Sequence, residues 1–295
     1  MSILGSLCDI ALAPVRARNS LIDQMFYDIG SLNSAERLHL HELNNSDGHI
    51  FCEGHIILVS PTGPGQGIRH FASVGAFLQG TDNSFAAIAV AGVGSSILGT
   101  AALARNVADA LGAPAAGIVS GYGMADLMAE ALGGWFLFGA IDRCRPLNGL
   151  VHLIPAQRDV IALSALLDAA PPGLRWVVGH SKGSLVIDCA LERYAHAHPT
   201  GSPLYDQVTV VTLGAVVNTP PAFTRVVQVI GGDDALGRAN SFRPAARCTI
   251  AGKRHSLNPR VPGHMDAKEI ISRIEDGLIP IGPPVPAPSL SPLAA

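Results

Sequence analysis

The stretch that most constrains this chain is Gly179-His180-Ser181-Lys182-Gly183-Ser184, because of what flanks it. Before it, residues 174–178 form an apolar run of strand length; after it, residues 185–195 have the spacing of a helix. Strand, G-x-S-x-G and helix in that order make a nucleophile elbow, a sharp turn that leaves a serine hydroxyl exposed at the carboxyl edge of a sheet. Glycine has a steric reason on both sides, since a Cβ at 179 or 183 would collide with the facing strand or helix. Ser181 is therefore the candidate nucleophile, and an ordinary Gly/Ser-rich turn is the plainer alternative.

Residues 54–60 and 85–91 are apolar without polar alternation, as expected where helices cover both faces of a parallel sheet. Residues 207–213, 223–230 and 247–251 read as further strands. Helical spacing occupies the intervals at 68–78, 100–111, 157–169 and 265–274, with another helix at 20–29. Strands alternating with helices predict an α/β fold: a doubly wound, mostly parallel sheet with helices on both faces. Active sites in such sheets lie at the carboxyl ends of the strands. Ser181, the Asp233-Asp234 pair and His264 all follow strands, which places them on one edge.

A serine hydroxyl is a poor nucleophile until a nearby imidazole takes its proton. The imidazole in turn needs a carboxylate to fix its tautomer. The chain order Ser181, Asp233 or Asp234, His264 is the order an elbow architecture requires. His255 competes with His264 in the same loop. His264 is preferred because Pro262-Gly263 makes a tight turn before the last helix, whereas His255 follows Lys253 and Arg254, whose charges would lower its basicity. His180 is excluded as the base because it adjoins the nucleophile on the strained turn. The oxyanion hole would take the backbone N–H of Lys182 and one from the loop after the first strand, where Pro61-Thr62-Gly63-Pro64-Gly65-Gln66-Gly67 offers Thr62 or, preferred, Gly63. A surface connection with no catalytic task is the alternative for that loop.

With these residues the chain resembles the α/β-hydrolase superfamily over roughly residues 50–278. Within it, Val211-Thr212-Leu213-Gly214-Ala215 is similar to the strand after the elbow in class 3 (fungal-type) lipases. Arg225-Val226-Val227 followed by Asp234-Ala235-Leu236-Gly237 resembles the strand that carries their catalytic aspartate. That match selects Asp234 over Asp233. The resemblance implies ester or thioester hydrolysis through an acyl-enzyme, by a Ser181-Asp234-His264 triad, with no metal or organic cofactor. Lys182 and Ser184 depart from the family, which commonly has an apolar residue after the serine and a small one after the second glycine, so the substrate class is not carried over.

Several classes of function are disfavoured. A net charge of −3 supplies no basic field for nucleic acid. No window reaches the ~18 uninterrupted apolar residues of a membrane span; the nearest, 125–140, contains Asp126 and Glu130. His39-Leu40-His41-Glu42 with nearby His49 matches no strong metal signature. Gly92-Val93-Gly94 lies between a strand and a helix and could cradle a dinucleotide pyrophosphate, but Ile97 stands where the third glycine belongs. A noncatalytic α/β-hydrolase-fold binding protein and a nucleotide-dependent enzyme using Gly92 and Gly94 are the rival readings. The expected partner is a small-molecule or lipid-like ester of a moderately apolar acyl group. Five widely spaced cysteines without a CxxC pair, and a start lacking a basic n-region, suit a cytoplasmic protein.

The chain divides into an N-terminal segment at 1–48, a hydrolase domain at 49–278 and a Pro-rich tail at 279–295. An insertion is expected at 115–150, where Trp135-Phe136-Leu137-Phe138 could line an acyl pocket, form a lid or pack in the core.

Overall fold

The computed structural model describes residues 21–45, 52–82, 84–92, 94–120, 158–239, 241 and 248–284. The aromatic cluster at 135–138, the insertion beyond residue 120 and the tail beyond 284 lie outside them. Eight strands form one sheet: β1 (Ile56–Val59), β2 (Ile68–Phe71), β3 (Ala87–Val90), β4 (Ala115–Ile118), β5 (Trp176–His180), β6 (Thr209–Leu213), β7 (Val226–Gly231) and β8 (Cys248–Ile250). Their spatial order is β2-β1-β4-β3-β5-β6-β7-β8. Strands β4, β3, β5, β6, β7 and β8 pair in parallel, while β1 is antiparallel to both of its neighbours.

Successive strand residues face opposite sides of the sheet, and here both sides are covered. Ile57, Val59, Ala89, Val178 and Val211 pack beneath α1 (Ser34–Asn45), α3 (Ile97–Leu111) and α8 (Ala267–Glu275). Ile56, Leu58, Ile88, Val90 and Val177 pack against α2 (Val74–Gly80), α4 (Arg158–Asp168) and α5 (Lys182–Ala197). A strand buried on both faces has no use for polar alternation, which is why β1, β3 and β5 read as continuous apolar runs. Two short helices, α6 (Leu204–Gln207) and α7 (Ala235–Ala239), complete the connections near β6 and β7.

One expected helix is different. Residues 68–78 begin as β2, and the helix starts only after Ser73, whose hydroxyl accepts the Ala76 N–H at 3.2 Å. The turn between β1 and β2 closes a hairpin, with Ser60 N–H donating to the Gly67 carbonyl at 3.1 Å, so β2 returns alongside β1. This matters for the site. Val59 pairs with Ala115 and Ile56 with Ile118, so β1 ends where the parallel strands begin.

The segment set apart at 1–48 contributes Tyr27, Leu32 and Leu40 to the core on the α3 face. Residues 21–26 are helical and a single 3-10 turn follows at Ile29–Ser31. At the other end, Ile279 is buried and Gly282 bridges to Val226 at the start of β7.

Candidate active site

Strand β5 ends at His180 and α5 begins at Lys182, which leaves one residue to reverse the chain. That residue, Ser181, has φ 53 and ψ −120, a conformation costing a non-glycine residue on the order of 1–3 kcal/mol. Packing holds it there. A Cβ on Gly179 would sit 2.7 Å from Ile187 Cδ1 and 2.8 Å from the Ser184 nitrogen, and one on Gly183 would overlap the Val90 carbonyl. The two glycines thus let α5 lie directly on β5 and β3. The Ser181 N–H also continues the ladder to β6, donating to the Leu213 carbonyl at 2.9 Å.

Asp234, at the mouth of β7, is buried, whereas Asp233 is exposed and its N–H is taken by the Lys253 carbonyl at 2.8 Å. Asp234 accepts the Gly237 N–H at 2.6 Å, and its two oxygens lie 2.9 and 3.0 Å from Nδ1 of His255. The expected Asp234–His264 pair is therefore corrected: the carboxylate binds His255. His264 is half-buried and donates its Nδ1 proton to the Val261 carbonyl at 3.2 Å. The neighbouring Arg254 is exposed, where water and salt screen its charge, whereas the Asp234 carboxylate is in direct contact with His255. The loop doubles back, with Arg254 N–H on Gly263 O and Met265 N–H on Ser256 O at 2.6 and 2.8 Å. Two histidines nine positions apart thus lie on opposite limbs of one fold-back.

In the neutral imidazole, an Nδ1–H facing the Asp234 carboxylate leaves the lone pair on Nε2, and that atom is buried with no hydrogen-bond partner among the described residues. The ring packs beside the elbow, its centroid 4.9 Å from that of His180. Gly214 leaves room for it: a Cβ there would stand 2.9 Å from His255 Cε1. His180 itself is fully buried, and burial, aided by the neighbouring His255, lowers its pKa from 6.5 to about 3. It is a neutral side chain at any working pH.

The second oxyanion expectation is also corrected. Gly63 follows β1, and β1 runs against the parallel strands, so its loop lies on the sheet edge opposite Ser181. There Thr62 N–H and Oγ1 both donate to Asp109 near the end of α3, at 2.6 and 2.9 Å. The loop that does reach the elbow follows β3. A Cβ on Gly92 would stand 3.2 Å from Ser181 Cβ and 3.3 Å from the His180 carbonyl oxygen. This is the Gly92–Gly94 turn weighed above as a nucleotide cradle. The amino end of α3 that such a cradle would use is already filled by Asp23, which accepts from Ser95 Oγ, from the Ser96 N–H and from Ser96 Oγ.

Lys182, expected to lend its N–H, also has a buried side chain. Its Nζ donates to the Ser120 carbonyl at 3.2 Å and lies 3.7 Å from Asp159 Oδ2, which also accepts from Ser120 Oγ at 2.8 Å. The lysine that departs from the lipase pattern thus ties the elbow to the ends of β4 and α4. Among the described residues no group of three or more His, Cys, Asp or Glu could hold a metal ion, and no helix is long and apolar enough to cross a membrane. No protein-family model, curated protein or solved structure matches the chain.

Proposed function

We propose that the chain is a serine hydrolase of the α/β-hydrolase type, similar to class 3 lipases, that cleaves carboxylic esters or thioesters of moderately apolar acyl groups. The observation that carries this reading is the His255 imidazole: bound at Nδ1 by Asp234, without a partner among the described residues at buried Nε2, and packed against the strained Ser181 elbow. The chain order Ser181, Asp234, His255 and the strand-to-helix turn at Ser181 support the same fold type.

In this mechanism Ser181 Oγ attacks the acyl carbonyl as its proton passes to His255 Nε2. Asp234 stabilises the imidazolium and holds the tautomer. The tetrahedral oxyanion is met by the Lys182 N–H at the start of α5 and by the turn after β3. Collapse transfers the proton from His255 to the departing alcohol or thiol, and water, activated by the same imidazole, releases the acid. A nucleotide-dependent activity is disfavoured because the Asp23 carboxyl already takes the Ser96 N–H and the Ser95 and Ser96 hydroxyls at the start of α3, the donors a phosphate would need. Cys52, Cys189 and Cys248 form no disulfide, which suits the cytoplasm.

The test uses p-nitrophenyl esters of graded chain length and a fluorophosphonate probe. Wild type is expected to be labelled at Ser181. Ser181→Ala and His255→Ala should each lose on the order of 10⁴ to 10⁶ in kcat, whereas His264→Ala should keep most activity. A Ser181→Ala protein retaining a tenth of the rate, or a wild type inert to both reagents, would overturn the reading.

A further inference from the structure

Residues 23–27 cross the carboxyl edge of the sheet and touch three of the loops that the hydrolase reading uses. The turn after β3 is held by Asp23, through Ser95 and Ser96, and by Tyr27, whose Oη accepts the Gly92 N–H at 2.6 Å. The elbow is held by the same hydroxyl, 2.9 Å from Nδ1 of His180. The loop of His255 is held three times: Leu257 N–H donates to Phe26 O at 2.8 Å, Ser256 Oγ to Met25 O at 2.7 Å, and Asn258 Nδ2 to Gln24 O. Phe26 completes the contact with its ring edge-on to His255, centroids 5.7 Å apart.

At the centre of this clasp the hydrogen-bond directions are forced. The Gly92 N–H can only donate, so Tyr27 Oη accepts it and turns its own proton toward His180 Nδ1. A carbonyl can only accept, so the 3.0 Å contact between His180 Nε2 and the His255 oxygen puts the imidazole proton on Nε2. Gly92, Tyr27, His180 and His255 thus form one directed chain with a single consistent proton arrangement. It runs from the backbone beside Ser181 to the backbone of the residue that binds Asp234.

We infer that Tyr27 and His180 are positioning residues, which set the Gly92 turn and the main chain of His255 relative to Ser181 through this hydrogen-bonded chain. The inference rests on the serine-hydrolase reading. Neither residue touches the substrate. Their task is geometric: the turn, the elbow and the base come from three separate strand ends, and a buried relay of fixed polarity keeps them in register where a flexible contact would not. Loss of such registration lowers the rate of the chemical step and leaves substrate binding largely intact.

The decisive experiment compares wild type, Tyr27→Phe, His180→Gln and His180→Leu as full-length proteins, at a temperature where circular dichroism shows each one folded. Glutamine can accept from Tyr27 and donate to the His255 carbonyl; leucine can do neither. Tyr27→Phe and His180→Leu are expected to lower kcat by roughly 10- to 100-fold with KM within about threefold, and to slow fluorophosphonate labelling in parallel. His180→Gln is expected to recover most of what His180→Leu loses. The double variant Tyr27→Phe/His180→Leu should be little slower than His180→Leu alone, because the chain is already broken. An active wild type whose Tyr27→Phe variant keeps full kcat, or a His180→Gln variant no faster than His180→Leu, overturns the positioning role and leaves the hydrolase reading standing. A wild type inert to ester and probe overturns both. If Tyr27→Phe does not fold, the two His180 variants decide alone.

Discussion

Ser184 stands three residues past the nucleophile in the first turn of α5, fully buried, and its hydroxyl has no hydrogen-bond partner among the described residues. An unsatisfied buried hydroxyl costs on the order of 1–3 kcal/mol relative to a satisfied or absent one. Ser184→Ala removes the group and changes the volume little, so it should raise the midpoint of urea unfolding by the equivalent of about 1 kcal/mol without altering kcat. A lower midpoint would show that the hydroxyl stabilises the fold. At Ser181 the cost runs the other way. Its φ of 53 is retained because the two flanking glycines and the β6 ladder leave the backbone no other path.

Helix α1 is joined to the rest of the molecule by a buried ion pair. Asn33 and Glu36 cap the helix reciprocally, Asn33 N–H donating to Glu36 Oε2 and Glu36 N–H to Asn33 Oδ1, both at 2.9 Å. The same glutamate receives Arg105 Nη2 of α3 at 2.5 Å and Gln66 Nε2 of the β1–β2 turn at 3.0 Å. Arg105 is wholly buried, and its Nε and Nη1 have no hydrogen-bond partner among the described residues. Glu36→Ala would leave that guanidinium uncompensated and should cost about 3–5 kcal/mol in denaturant unfolding. Replacing both residues together, Glu36→Leu with Arg105→Met, should recover most of the loss, since apolar pairs of similar volume often replace a buried ion pair at little cost. A single-variant loss below about 1 kcal/mol, on the same scale, would show that α1 does not depend on this pair.

The molecule as a whole carries a pH signature through Asp23. Burial is the largest cause that raises its carboxyl from 3.8 to about 7, opposed by hydrogen bonds from Ser96, Ser95 and Gly99. Below the lower value both folded and unfolded chains hold the proton. Between the two, the unfolded chain releases it while the folded chain keeps it, so the contribution of Asp23 to stability falls as pH rises and is lost above the upper value. Asp23→Asn removes this dependence. The stability difference between wild type and variant should therefore move in the variant's favour from about pH 4 to pH 7 and then level off, as read from urea unfolding across that range. A difference that is flat with pH would place the titration elsewhere.

The sequence by itself determined what depends on neighbours along the chain. The elbow was legible because strand, G-x-S-x-G and helix are contiguous and the steric need for Gly179 and Gly183 follows from that local geometry. The apolar runs, read as strands buried on both faces, were legible for the same reason. What depends on which strand lies beside which was decided only in the tertiary structure. Nothing local shows that β1 runs backward, yet that single reversal carries Gly63 to the far edge and leaves the Gly92 turn beside Ser181. The choice between His255 and His264 was hidden likewise, because both sit in one loop and only the fold-back at 259–262 aims one of them at Asp234. Tyr27 lies 153 positions from His180, and no periodicity or spacing can register a hydrogen bond across that distance.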